Sequence, residues 1–108
     1  KFFLTIKNLK LANENVKFYT KKNLDKNVII LQNKQKAILK EDFFSQSNEV
    51  VFRSLAEVIK LVGKKYYAVR GKKIDKIIHL IKSKSSFKVT LGDCIIKKVN
   101  QTLILSKE

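Results

Sequence analysis

The chain is poor in the residues from which most active sites are built. Its 108 residues include one cysteine, Cys94, and one histidine, His79. A lone cysteine excludes an internal disulfide and makes a reducing, cytoplasmic compartment the simplest expectation. The two residues together supply at most two soft ligands, too few for a zinc site. A nucleophilic thiol needs a base beside it, and His79, between Ile78 and Leu80, reads as a residue of a helix surface or core edge. Cys94, between a turn and Ile95-Ile96, is expected to be a small buried apolar residue. The three glycines, Gly63, Gly71 and Gly92, are too scattered for a phosphate-cradling loop, so no nucleotide-hydrolysing or dinucleotide site is expected. No apolar run approaches the roughly 20 residues needed to span a bilayer. The opening Lys1-Phe2-Phe3-Leu4-Thr5-Ile6 is interrupted by Lys7 too early to be the apolar part of a signal segment. No membrane association is therefore expected.

Acidic residues are also scarce, 9 against 24 lysines and arginines, which leaves a formal net charge of +15. Glu41-Asp42 reads as part of a connector and Glu49-Arg53-Glu57 as a charge ladder on a helix surface, so no acid–base pair and no catalytic residue are expected. A field of this sign concentrates polyanions, and nucleic acid is the leading partner on charge alone. Only Arg53 and Arg70 are arginines. An AT-rich coding bias explains lysine in place of arginine, but it does not explain the shortage of glutamate.

The densest cationic cluster is Lys64, Lys65, Arg70, Lys72, Lys73 and Lys76, with Tyr66 and Tyr67 interleaved. Phosphates and an unstacked base or ribose can be met by one such surface. Lysine contacts phosphate as a point charge, which suits reading of backbone and shape more than bidentate base recognition. The plainer alternative is that the tyrosines pack between helices while the lysines only solvate the surface.

The pattern along the chain is that of one α+β domain. Phe2, Ile6, Leu9, Ala12, Val16 and Tyr19 recur at helical steps, and the turn-prone stretch Asn23–Asn27 is expected to end that helix. Val28–Leu31 and Lys36–Leu39 flank Asn33-Lys34 as a short β-hairpin. Phe43-Phe44 then interrupts a polar connector, where the rings are expected to plug the core. Val51, Leu55, Val58 and Val62 mark a second helix, ended by Gly63 as a left-handed C-terminal residue. Ile74, Ile77, Ile78 and Ile81 give a third helix its apolar stripe beneath Lys72, Lys73, Lys76 and Lys82. If these two helices pack antiparallel, Lys64, Lys65 and Arg70 enter the same neighbourhood. After a loop over Ser83–Ser86, strands Phe87–Leu91, Cys94–Val99 and Thr102–Leu105, joined at Gly92-Asp93 and Asn100-Gln101, make a C-terminal three-stranded antiparallel β-meander. The expected fold is thus a linker helix, a short β-hairpin, a two-helix unit and the meander.

Arg53-Ser54-Leu55-Ala56, Val62-Gly63, Tyr67 and Arg70 before Gly71, Thr90-Leu91-Gly92-Asp93-Cys94 and the closing Leu103-Ile104-Leu105-Ser106-Lys107-Glu108 carry a resemblance through their order and spacing. Over roughly the last two thirds of its length the chain resembles the C-terminal domain of bacterial tRNA(Ile)-lysidine synthetase, particularly the short-tailed alphaproteobacterial form. It departs from the family at Ala68 and Val69, where two prolines are usual, and at Asp93, where a second glycine is usual. The resemblance implies an enzyme that adenylates the wobble cytidine of isoleucine tRNA and lets free lysine displace AMP. ATP, magnesium and lysine would bind an upstream catalytic domain whose Ser-Gly-Gly-x-Asp-Ser loop is absent here, and this part would need no cofactor. Residues 1–22 would be the helix leading out of that catalytic domain, and residues 23–108 an accessory domain holding the tRNA. The lysine at position 1 fits a piece of a longer chain. The rival reading is a non-enzymatic basic module for RNA in general or for an acidic protein surface.

Overall fold

Five short segments, four of them with period-two burial, build one sheet, not two. The computed structural model describes the backbone of residues 2–31, 33, 35–63 and 71–107 and the side chains from Glu14 onward. Strands β1 (Val28–Leu31), β2 (Lys36–Leu39), β3 (Phe87–Leu91), β4 (Cys94–Val99) and β5 (Thr102–Lys107) form an antiparallel sheet in the order β1-β2-β5-β4-β3. Hairpin and meander are joined by β2 and β5, with Ala37 opposite Leu105 and Leu39 opposite Leu103. Those four side chains, with Cys94 and Ile96 of β4, are buried on the face that receives the helices.

Helices α2 (Asn48–Gly63) and α3 (Gly71–Ser83) follow the expected stripes. Val51, Leu55, Val58 and Val62 of α2 and Ile74, Ile77 and Ile81 of α3 are buried, joined by Ile59. Fully burying side chains of this size is worth about 1.5–3 kcal/mol each, so this cluster dominates the stability of the fold. Phe43, in a 3-10 turn at Glu41–Ser45, is fully buried and meets Phe44 edge-on at 4.9 Å between ring centroids, as the core plug requires.

Helix α1 (Phe2–Asn27) corrects the sequence reading, because it runs unbroken through Asn23–Asn27. The two asparagines turn inward and find partners in the fold. Asn23 Nδ2 donates to the Phe43 carbonyl at 3.3 Å and to Ser54 Oγ at 3.1 Å, and Asn27 Nδ2 donates to Asn23 Oδ1 at 2.8 Å. Amides that favour turns when they bond locally are here committed to tertiary contacts. The Lys40 amide closes the helix end by donating to the Asn27 carbonyl at 2.9 Å. Tyr19, placed on the apolar stripe by its spacing, is instead exposed and packs edge-on against exposed Phe18.

Gly63 brings a second correction. Its φ is not positive, and the only left-handed glycine among the described residues is Gly92. A Cβ at Gly63 would collide with the Gly92 carbonyl oxygen and sit 3.3 Å from Cys94 Sγ. The residue is small because α2 ends directly against the β3–β4 turn. In that turn Gly92 (φ 59°) and Asp93 (φ 62°) are both left-handed, the signature of a two-residue type I′ connection.

The face of the sheet away from the helices stays open. One cross-strand row on it reads Ile29, Ile38, Ile104, Lys97, Lys88. It therefore passes from apolar at the β1 edge to basic at the β3 edge. No helix of the described residues is long and apolar enough to cross a membrane.

Candidate nucleic-acid interface

Burial of Ile74, Ile77 and Ile81 fixes which way α3 turns, and the lysines follow from it. At about 100° per residue, Lys72, Lys73 and Lys76 fall within one arc of about 100°, opposite the isoleucines. All three are exposed. His79 is exposed on the same side one turn further on, and exposed Asp75 lies on the flank. The lysine face expected from sequence is thus present as a continuous strip of α3. Lys64, Lys65, Tyr66, Tyr67 and Arg70, the remainder of the predicted site, lie outside the described residues.

Both ends of α3 reach the first turns of α2. The Phe52 ring lies against Gly71, with its Cζ 3.3 Å from where a Cβ would stand, and Lys82 Nζ donates to Asn48 Oδ1 at 3.3 Å. These two contacts seat α3 against the N-terminal half of α2. The C-terminus of α3 is closed by a cation from the sheet. Lys98 Nζ donates to the Ile81 carbonyl at 2.6 Å and the Lys84 carbonyl at 2.9 Å, where the helix dipole favours positive charge.

Other residue types capable of chemistry are arranged for structure. Arg53 and Glu49 form an exposed i,i+4 ion pair at 3.1 Å, and Glu57 is exposed beyond them. Among the described residues no cluster of three His, Cys, Asp or Glu side chains could hold a metal ion. Cys94 is fully buried and its thiol donates to the Ile59 carbonyl at 3.3 Å. Burial, reinforced by the neighbouring Asp93 charge and opposed by Lys107, pushes its pKa from the ordinary 9.0 to about 11. A thiol so placed is a weak nucleophile.

This has a measurable consequence. Because the folded state holds the thiol proton more tightly, its contribution to stability is complete below about pH 9 and lost as pH rises to about 11. Wild type should lose more stability across that window than Cys94→Ala in urea titrations. At pH 8 an aromatic disulfide reagent should react with the folded chain about 100-fold more slowly than with the urea-unfolded chain, as two pKa units imply. Equal rates would show that the thiol is not buried.

The sequence reading passed over a second group of cations, carried by the sheet. Lys36, Lys88, Lys97, Lys98 and Lys107 lie in strands, and no strand carries a carboxylate. The signal was available, since a two-residue turn pairing Leu91 with Cys94 also puts Lys88 opposite Lys97.

Fold and surface together define a small, strongly basic α+β module with a lysine-faced helix. Comparisons with protein-family models, with curated proteins and with solved structures find no match to this chain.

Proposed function

We propose that this chain is the tRNA-binding C-terminal domain of a tRNA(Ile)-lysidine synthetase, a cytoplasmic tRNA-modifying ligase, and that α3 grips the tRNA. ATP, magnesium and lysine bind an upstream catalytic domain in this reading, with α1 leading in from it. The observation that supports α3 is the exposure of Lys72, Lys73 and Lys76 on one arc above a buried isoleucine stripe. Three ammonium groups so placed, on a chain of net charge +15, meet consecutive phosphates without distorting the core. Phosphate contacts carry no sequence information. Discrimination among tRNAs then rests on the geometry of the grip and on Tyr66, Tyr67 and Arg70 of the connector.

Replacing Lys72, Lys73 and Lys76 together by alanine tests this. Wild type should bind the isoleucine tRNA transcript with a log–log salt slope near −3 to −4 if about four phosphates are neutralised. The triple variant should bind at least about tenfold more weakly with a slope shallower by about two, while each substitution changes stability by less than about 0.5 kcal/mol. Lys17, Lys21 and Lys22, all exposed on α1, supply a control of equal charge. Equal losses in the two triple variants would mean that net charge alone attracts the RNA. A flat salt response would overturn phosphate contact and favour an apolar face for a protein partner instead.

A further inference from the structure

We infer that the end of the β3–β4 hairpin is a second phosphate-binding site, which takes the sugar-phosphate backbone of the nucleic acid at the opposite end of α3 from Lys72 and Lys73; this rests on the RNA-binding reading above. A groove of about 450 Å³ opens there between the α3–β3 loop and the β4–β5 turn. Ser85, Ser86, Lys88, Lys97, Lys98 and Asn100 form its polar lining beside Phe87 and Val99, and no carboxylate lines it. Glu41, at the same end of the sheet, lies beside the Gln101 side-chain amide, on the β2 side of the turn.

Lys88 and Lys97 are directly opposite one another on the open face. Their Cβ atoms are then roughly 4.5–5.5 Å apart, a distance at which like charges destabilise a strand pair. Neither ammonium is within ion-pair distance of a carboxylate among the described residues. The pair is unfavourable for the fold taken alone and becomes favourable when an anion sits between the two groups. Lys98 adds fixed positive charge, because its ammonium is tied to the Ile81 and Lys84 carbonyls. The hydroxyls of Ser85 and Ser86 and the Asn100 amide supply neutral donors beside it. Lysines, hydroxyls and an amide without a carboxylate suit a phosphodiester, and the groove is too open to enclose a free mononucleotide. Along α3 the two cationic ends are some eight to twelve residues apart, roughly 12–18 Å at 1.5 Å per residue. Because β3 is an edge strand and the α3–β3 loop lines the groove, an RNA backbone that meets both the α3 lysines and the Lys88–Lys97 pair passes around that edge of the sheet.

The test uses Lys97→Glu and the double variant Lys88→Ala/Lys97→Ala, beside the α3 triple variant and a charge-matched Lys17→Ala/Lys21→Ala control. Binding of the isoleucine tRNA transcript and of a ten-residue oligouridylate is measured across a salt series, together with the melting temperature of each variant. Removing the two lysines should weaken binding of the tRNA transcript at least fivefold beyond the control and flatten the salt slope by one to two. The melting temperature should hold or rise, because a repulsive pair is gone. Lys97→Glu should lower affinity further while raising the melting temperature, since Lys88 gains an opposite charge across the strands. A double variant that binds like the control overturns the hairpin site and leaves the α3 reading standing if the α3 triple variant still loses affinity. Absence of binding by wild type to either RNA at low salt overturns both.

Discussion

Replacing Gly63 by alanine is expected to cost about 3 kcal/mol, toward the upper end of what overpacking a core position does, and to lower the melting temperature by roughly 10–20 °C. The added methyl group points at the Gly92 carbonyl oxygen and at Cys94 Sγ, not at a side chain that can swing aside. Relief requires either the last turn of α2 or the β3–β4 turn to move. Both are tied down: Cys94 is bonded to the Ile59 carbonyl in α2, and Gly92 and Asp93 are fixed in left-handed geometry by the register of their strands. Gly71→Ala is the natural comparison, because a Cβ there meets only the edge of the Phe52 ring at 3.3 Å on an exposed first turn. A small rotation of that ring accommodates it, and the stiffer unfolded chain favours alanine. Its effect should lie between neutral and a gain of about 0.5 kcal/mol. Urea denaturation of the two variants decides the matter. Equal stability would mean that α2 does not end against the turn as closely as the structure shows.

Gly63 also shows where sequence stops being informative. A glycine after an apolar helical stripe looks the same whether it supplies a left-handed cap or a gap for another backbone. Only the fold brings Gly92 to that spot, and the two residues are separated by α3 and β3. The β2–β5 pairing was hidden for a similar reason. The alternation of Ala37 and Leu39, or of Leu103 and Leu105, says which face is buried but not which strand lies alongside. By contrast, the exposure of Lys72, Lys73 and Lys76 was legible, since one helical period sets both the isoleucine stripe and its opposite face. Lys88 and Lys97 were legible in principle through the turn at Gly92-Asp93. They were missed because the densest run of charge in the sequence lay elsewhere.

Local propensity failed most clearly at Asn23, and that failure leads to the other large effect. Asn23→Ala should destabilise the fold by about 2–4 kcal/mol, more than an asparagine on a helix surface ever could. The side chain is 2% exposed and is the hub of the junction among α1, the 3-10 turn and α2. Its loss strands the Asn27 amide, which is itself buried, and removes donors from Ser54 Oγ and the Phe43 carbonyl, leaving a small polar void among them. Ser54→Ala alone should cost less, about 1 kcal/mol, because Asn23 keeps its bonds to Phe43 and Asn27. If the network acts as a unit, the double variant Asn23→Ala/Ser54→Ala will be less destabilised than the sum of the singles by about 0.5–1 kcal/mol, since the second substitution removes a group already left without its partner. Strict additivity would show that Asn23 and Ser54 do not interact in solution. The bonds of Asn23 to the Phe43 carbonyl and to Asn27 would then alone offset its preference for ending a helix and carry α1 through Asn27.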